Sequence, residues 1–378
     1  MITPLDEGHR YSFDDGVFGL IPSAQALVEC GEGVVRVRGS EVWPQIELQQ
    51  TDTVFESKGI QLAGRLIEPI NANPQTPLVI YAHGSEPWGW IGTARDPYQM
   101  VGRGISVFVY DKRGTGRSEG TYNQNFPLLA DDMVAAAAEA KRLAQGRFGR
   151  FGLFGLSQGG WIAPLAAERA AAEFIGIGYG LVVDITEEDA AQVELELREA
   201  GYGDEVIAKA RRITDATGLI ARSGYTEGLD ELDQLREAYG GEVWFSQIRG
   251  GFSGVILGIS TDELRANGIP QFDHLNIDWS LNPANVLSQV QVPQLWVLAA
   301  DDREAPVEKT LQRLKILREQ GRKIEIRLFP GTDHGMVEFN QAADGSREYT
   351  RVTAGFYDLM ADWAKGQMSG RYGQAELQ

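Results

Sequence analysis

A single cysteine, Cys30, stands in 378 residues. It excludes an intrachain disulfide and any cluster held by several thiolates, and it fits a reducing compartment. Cations are in the minority: 35 Lys and Arg face 53 Asp and Glu, for a net charge of −18. Such a surface repels phosphate backbones and anionic headgroups, so neither nucleic acid nor membrane is an expected partner. No apolar run reaches the roughly 18 residues that a membrane-spanning helix needs. The first ten residues carry Asp6 and Glu7 and lack a basic start followed by an apolar stretch. They do not read as a secretory signal, and a cytoplasmic location is expected. Histidine is scarce as well, with four in the chain and no His-Glu-x-x-His. Neither a metal nor a cofactor is expected.

Glycine and apolar residues are abundant by contrast, with 45 glycines and 43% hydrophobic content, enough for one large domain carrying an insertion. The most informative stretch starts at Phe151. Arg150-Phe151-Gly152-Leu153-Phe154 reads as a short apolar strand, Gly155-Leu156-Ser157-Gln158-Gly159-Gly160 as a sharp turn, and Trp161 to Ala171 as an alanine-rich helix. Lifting a serine out of a sheet in this way requires a hard backbone bend with strand and helix in close approach. Gly155 and Gly159 remove the side chains that would collide there. The helix N-terminus directs unpaired N–H groups and a partial positive charge at Ser157, which favours an anion formed beside it.

Around this stretch, strands alternate with helices. Leu78–Ala82, Ile105–Tyr110, Phe174–Tyr179, Gln294–Ala300 and Lys323–Phe329 are apolar runs of the kind buried in a parallel sheet, and a hairpin turns at Lys58-Gly59. Short antiparallel strands are expected within residues 1–52, and helices over Leu128–Gln145, Val307–Gln320 and Thr353–Lys365. Between Asp184 and Ala284 the strand rhythm stops, and Thr186–Ala200, Asp204–Arg222 and Gly228–Tyr239 show helical spacing. The polar tail from Gly366 is expected to be mobile. The pattern predicts an open α/β sheet with core segments 53–183 and 285–378, an N-terminal extension 1–52 and a helical insertion 184–284.

A serine hydroxyl needs a base held by a third group. His334 is the one histidine in a late loop after a strand, where open sheets place their functional residues. His9 lies in the extension, His274 in the insertion, and His83 reads as a core histidine bonded within its own loop. Asp301 and Asp302 end a strand before His334, and Asp184 ends an earlier one. The backbone N–H groups of Gln158 and Ser85 are the expected oxyanion donors. Trp88 and Trp90 are expected to line the substrate pocket. Asp111-Lys112-Arg113-Gly114-x-Gly116-x-Ser118 lacks the order of a phosphate loop and reads as a structural turn, and Gly176-x-Gly178-x-Gly180 carries little weight.

With His83-Gly84-Ser85-x-Pro87, the Tyr110 to Ser118 turn, Gly155-x-Ser157-Gln158-Gly159-Gly160, Asp302 and His334 in order, the chain resembles the α/β-hydrolases. Within them it is similar to bacterial esterases related to dienelactone hydrolases and serine aminopeptidases. The resemblance covers Thr53 to the C-terminus. It implies an eight-stranded, mostly parallel sheet with helices on both faces and a helical cap over residues 184–284. It also implies a triad of Ser157, Asp302 and His334, with Asp302 preferred because Asp-x-x-x-Pro306 is similar to the family's acid loop. The expected activity is a serine esterase acting on a small-molecule ester; serine rather than aspartate at the turn disfavours a dehalogenase. A peptidase or thioesterase using the same triad is the alternative, and a non-catalytic binding protein on the same scaffold is a further one. A peptidase is expected to present an acidic pair to a substrate ammonium, and Glu187, Glu188 and Asp189 are available. Glu86 departs from the glycine common beside the oxyanion loop. Its carboxylate either disfavours anionic substrates or points to solvent.

Overall fold

The computed structural model describes residues 46–343, 345–368 and 370–378 in full, with the backbone of six short strands before them. Those six form two antiparallel three-stranded sheets, Ile2–Asp6 with Arg10–Phe13 and Phe18–Leu20, and Val28–Gly31 with Val34–Val37 and Glu41–Pro44. Then β1 (Leu48–Ser57) and β2 (Ile60–Pro69) pair along their whole length as a hairpin. Its turn residues Lys58 and Gly59 both take positive φ, 49° and 78°, the sense that matches strand twist. The first core strand thus begins at Leu48 rather than Thr53, because Leu48–Asp52 find partners in Arg65–Pro69.

The remaining sheet strands are β3 (Leu78–Ala82), β4 (Ser106–Tyr110), β5 (Phe151–Leu156), β6 (Phe174–Gly178), β7 (Gln294–Ala299) and β8 (Ile324–Phe329). After β8 come β9 (Thr332–Asp333), β10 (Val337–Gln341), β11 (Arg347–Val352) and β12 (Glu376–Leu377). Among the described residues the central sheet has nine strands in the order β12-β8-β7-β6-β5-β3-β4-β2-β1, with β3 to β8 parallel. To the eight expected strands it adds β12, an antiparallel edge strand on β8. The tail from Gly366 therefore docks, contrary to expectation. Tyr372 is buried and donates to Asp362, and the Gln378 N–H bonds to the Ile326 carbonyl.

Strands β3 to β7 are buried at every residue, which explains their unbroken apolar runs. Within β3, Leu78, Ile80 and Ala82 enter one core while Val79 and Tyr81 enter the other, the period of two that a sheet imposes. Helices α1 (Asp96–Val101), α2 (Phe126–Leu143) and α3 (Gly159–Ala167) follow β3, β4 and β5 respectively. Helix α2 starts where Asn125 accepts the Leu128 N–H at 3.0 Å, with Pro127 in the first turn. Between β6 and β7 run seven helices: α4 (Ile185–Glu199), α5 (Asp204–Arg222), α6 (Leu229–Tyr239), α7 (Ser253–Leu257), α8 (Thr261–Asn267), α9 (Pro270–Asp273) and α10 (Pro283–Gln289). The first six share a separate hydrophobic cluster that includes Val193, Ile213, Leu232 and Ile256, whereas α10 packs into the main core through Leu287. Helices α11 (Val307–Glu319) and α12 (Phe356–Lys365) cover opposite faces of the sheet. Among the described residues no helix is long and apolar enough to cross a membrane.

The chain fills one side of β3 with β4, then crosses to place β5 on the other side. The carboxyl ends of β3 and β5 thus flank the point where strand order reverses, the position where open sheets leave a crevice. Ser85 follows β3, and Ser157 follows β5.

Candidate active site

Ser157 takes φ of +52°, a conformation costly for a residue with a side chain. Its neighbours tolerate the bend because two glycines let elements touch. A Cβ on Gly155 would lie 2.1 Å from the Gly159 carbonyl oxygen, and one on Gly159 would lie 2.2 Å from that of Ala82. Helix α3 can therefore start directly against β5 and β3. The Ser157 N–H is anchored to the Gly178 carbonyl at 3.0 Å. This explains the Gly176-x-Gly178-x-Gly180 run as packing: a Cβ on Gly160 would stand 3.1 Å from the Gly180 Cα.

The structure brings Ser157, His334 and Asp302 together. Ser157 Oγ lies 3.0 Å from His334 Nε2, and His334 Nδ1 lies 2.9 Å from Asp302 Oδ2. Asp302 is buried and also accepts the N–H groups of Glu304 and Ala305, so its carboxylate is fixed in place. The other acids have different work. Asp301 accepts the Gly331 N–H, and Asp184 caps helix α4 by accepting from Thr186 and Glu187. His83 is buried, sits 3.1 Å from Glu86 Oε2 and stacks on Trp90. Burial is the main reason that its imidazole is held down to about 4 and neutral. Glu86 thus turns toward His83. His274 bonds to Pro270 in the helical insertion, and His9 lies outside the described residues.

A cavity of about 260 Å³ opens beside Ser157, lined by Ser85 and Gln158 on the sheet side. Trp88 and Trp90 do not line it. Asp111 accepts the N–H groups of Trp90 and Ile91 and pulls that segment against the Tyr110 to Ser118 turn, leaving Trp90 under His83 and Trp88 exposed. The apolar walls are Trp161, Tyr179, Phe252, Phe272 and Trp279 instead. Tyr179 packs edge-on against His334 with ring centroids 4.9 Å apart. Nothing in the sequence singled out these aromatics, because spacing along the chain does not tell a wall from an interior.

Of the three expected acids, Glu188 and Asp189 both line the cavity. Glu187 forms an ion pair with Arg313, and Asp189 is consumed by the N–H groups of Phe252 and Ser253. Burial, reinforced by the nearby charges of Glu304, Asp302 and Asp189, pushes the Glu188 carboxyl up to about 8 against the pull of His334. Burial opposes a charge on His334, yet the Asp302 hydrogen bond and the charges of Asp302, Glu304 and Glu188 outweigh it and raise the imidazole to about 9.

An unforeseen hairpin, β10 and β11, braces these loops. The Asp333 carboxylate accepts from the N–H groups of Arg303 and His334 and from the Tyr349 hydroxyl, and it pairs with Arg347. Arg347 also donates to the Asp301 carbonyl at 2.6 Å, tying the loop of Asp302 to that of His334.

Comparison with known proteins agrees with this fold. The family model described as "Alpha/beta hydrolase family" matches residues 79–345, and the chain belongs to that family. Acylamino-acid-releasing enzyme 2 of Oryza sativa subsp. japonica is 35% identical over 69 residues, which cover 18% of this chain and only 9% of that protein. Among solved structures, an esterase of Pyrococcus furiosus is similar at 15% identity and a TM-score of 0.48, over 76% of this chain and 84% of that one. DcsB in complex with its substrate analogue is similar at 16% identity and a TM-score of 0.51, over 85% of this chain and all of that one (100%). At these identities the structural likeness is one of fold.

Proposed function

We propose that this chain is a serine hydrolase that cleaves carboxylic esters of small molecules through an acyl-enzyme. The observation that carries the reading is the unbroken hydrogen-bond line from Ser157 through His334 to Asp302 at the mouth of an apolar cavity. Ser157 Oγ attacks the ester carbonyl carbon while His334 Nε2 takes its proton. Asp302 stabilises the imidazolium and keeps Nε2 aimed at the serine. The tetrahedral oxyanion is received by the N–H groups of Gln158 and Ser85. The Gln158 N–H opens helix α3 and has no acceptor within that helix. Collapse expels the alcohol, which takes the proton from Nε2; water then repeats the sequence and releases the acid. Helices α4 to α9, within residues 184–284, act as a cap, since Glu188, Phe252, Phe272 and Trp279 of the cavity wall come from that segment. Neither a metal nor a cofactor enters these steps.

The test is labelling with a fluorophosphonate followed by peptide mapping, alongside turnover of short-chain p-nitrophenyl esters and aminoacyl anilides. One adduct on Ser157 with ester turnover is expected. Absence of an adduct on folded protein would sink the reading in favour of a non-catalytic binding protein.

A second reading, release of residues that carry a free amino group, is favoured by Glu188. A carboxyl pushed upward by burial gains most from a cation placed beside it. Glu188→Gln is expected to lower the preference for an aminoacyl ester over its N-acetyl counterpart by about tenfold or more, the scale of one charged hydrogen bond. It carries a pH signature as well. His334 serves as base only when neutral, so kcat/KM should rise with pH through a value above the usual imidazole range. Removing the Glu188 charge lowers the imidazolium's support, so that limb should move to lower pH. An unchanged preference in Glu188→Gln leaves the simple esterase.

A further inference from the structure

Lys112 is buried, and among the described residues its ammonium has no carboxylate bonded to it. It donates instead to the Gly84 carbonyl and, at 3.0 Å, to the Gln158 side-chain oxygen. An ammonium removed from water is costly, and burial pulls Lys112 down to about 7 against the charge of nearby Glu86. The two acceptors belong to the two loops that carry the oxyanion donors of the proposed reaction.

We infer that Lys112 is the positioning residue of the oxyanion hole, setting the direction of the Ser85 N–H and its distance from that of Gln158. The argument is geometric. The peptide between Gly84 and Ser85 is trans, so its C=O and N–H lie in one rigid plane and point in opposite directions. With the carbonyl held by Lys112, the N–H must face away from it. Ser85 lines the cavity together with Ser157 and Gln158. The next carbonyl, that of Ser85, is held by the Tyr122 hydroxyl, so the peptide cannot rotate about either end. The same ammonium grips the Gln158 side chain, so loop and helix start move as one unit. Gly84 contributes a close approach: a Cβ there would lie 2.9 Å from Glu86 Oε2, and that carboxylate would have to shift from its place beside His83. No part of this requires Lys112 to touch substrate.

The inference rests on the serine hydrolase reading, and the experiment separates the two. Lys112→Met and Lys112→Gln are compared with the parent enzyme on one p-nitrophenyl ester, with Ser157→Ala as control. Affinity is also measured for a trifluoromethyl ketone, whose adduct with serine carries an oxyanion, and for the product carboxylic acid. For whichever Lys112 variant folds, kcat should fall by about 10²-fold, the order of losing one oxyanion donor, while KM stays within about twofold. Ketone affinity should fall by the same factor and product affinity should hold. A merely structural lysine would move thermal stability without splitting ketone from product. Unchanged kcat, or ketone and product affinities falling together, overturns the inference while inactive Ser157→Ala keeps the enzymatic reading standing. Full turnover in Ser157→Ala overturns both.

Discussion

Ser157→Ala is expected to lower kcat on a short-chain ester by roughly 10⁴- to 10⁶-fold, the scale of losing the nucleophile from a serine triad. The KM should change little, because the alanine still leaves the apolar walls and the oxyanion donors in place. His334→Ala should cost nearly as much, since without it the hydroxyl has no base within 3.0 Å. The double variant should be no slower than the worse single one. Ser157 and His334 work as a unit, and a unit can be lost only once. Steady-state kinetics on the three variants check this, and additive losses would show that the two residues act separately. The alanine is also expected to leave thermal stability nearly intact, because it keeps the same backbone at φ +52° and loses only the hydroxyl.

The second large effect concerns stability. Arg113 and Asp132 form a bidentate pair at 2.7 and 2.5 Å, with the Asp132 side chain wholly buried and the Ser57 hydroxyl on the same carboxylate at 2.5 Å. The pair joins three elements: the turn after β4, helix α2 and the end of β1. Burial pushes the Asp132 carboxyl up, against the pull of the Arg113 and Ser57 hydrogen bonds, so its charge depends on those partners. Arg113→Met leaves that carboxylate unpaired and is expected to destabilise the fold by about 3–5 kcal/mol. Urea unfolding should show an earlier midpoint with little change in slope. Arg113→Met combined with Asp132→Leu should recover most of the loss, since two apolar side chains leave no buried charge behind. If the double variant is as unstable as the single one, the pair matters for packing rather than for charge.

Asp111-Lys112-Arg113 shows what a sequence can and cannot convey. Reading the motif as a structural turn was right for Asp111, which accepts the Trp90, Ile91 and Arg117 N–H groups. It was also right for Arg113. Nothing local marks Lys112, because its two acceptors lie 28 and 46 residues away along the chain. The tail from Gly366 was misread for a related reason: its polar composition shows no core-forming period, yet the edge of β8 offers unpaired backbone groups that any residue type can use.

What the sequence by itself determined are the features whose cause is local. Buried strands read as apolar runs, glycines mark the bend at Ser157, and the count of four histidines leaves His334 as the base. The parallel sheet and the helical insertion follow from periodicity alone. Tertiary structure decided everything that depends on distance across the fold. It set the expected Asp302 against His334 and gave Asp301 and Asp184 other partners, engaged Asp189 with backbone N–H groups while leaving Glu188 to the cavity, and replaced Trp88 and Trp90 by aromatics drawn mainly from the insertion. The physical reason is that a side chain's type is fixed by its codon, whereas its neighbours are fixed by the strand order, which reverses between β3 and β5.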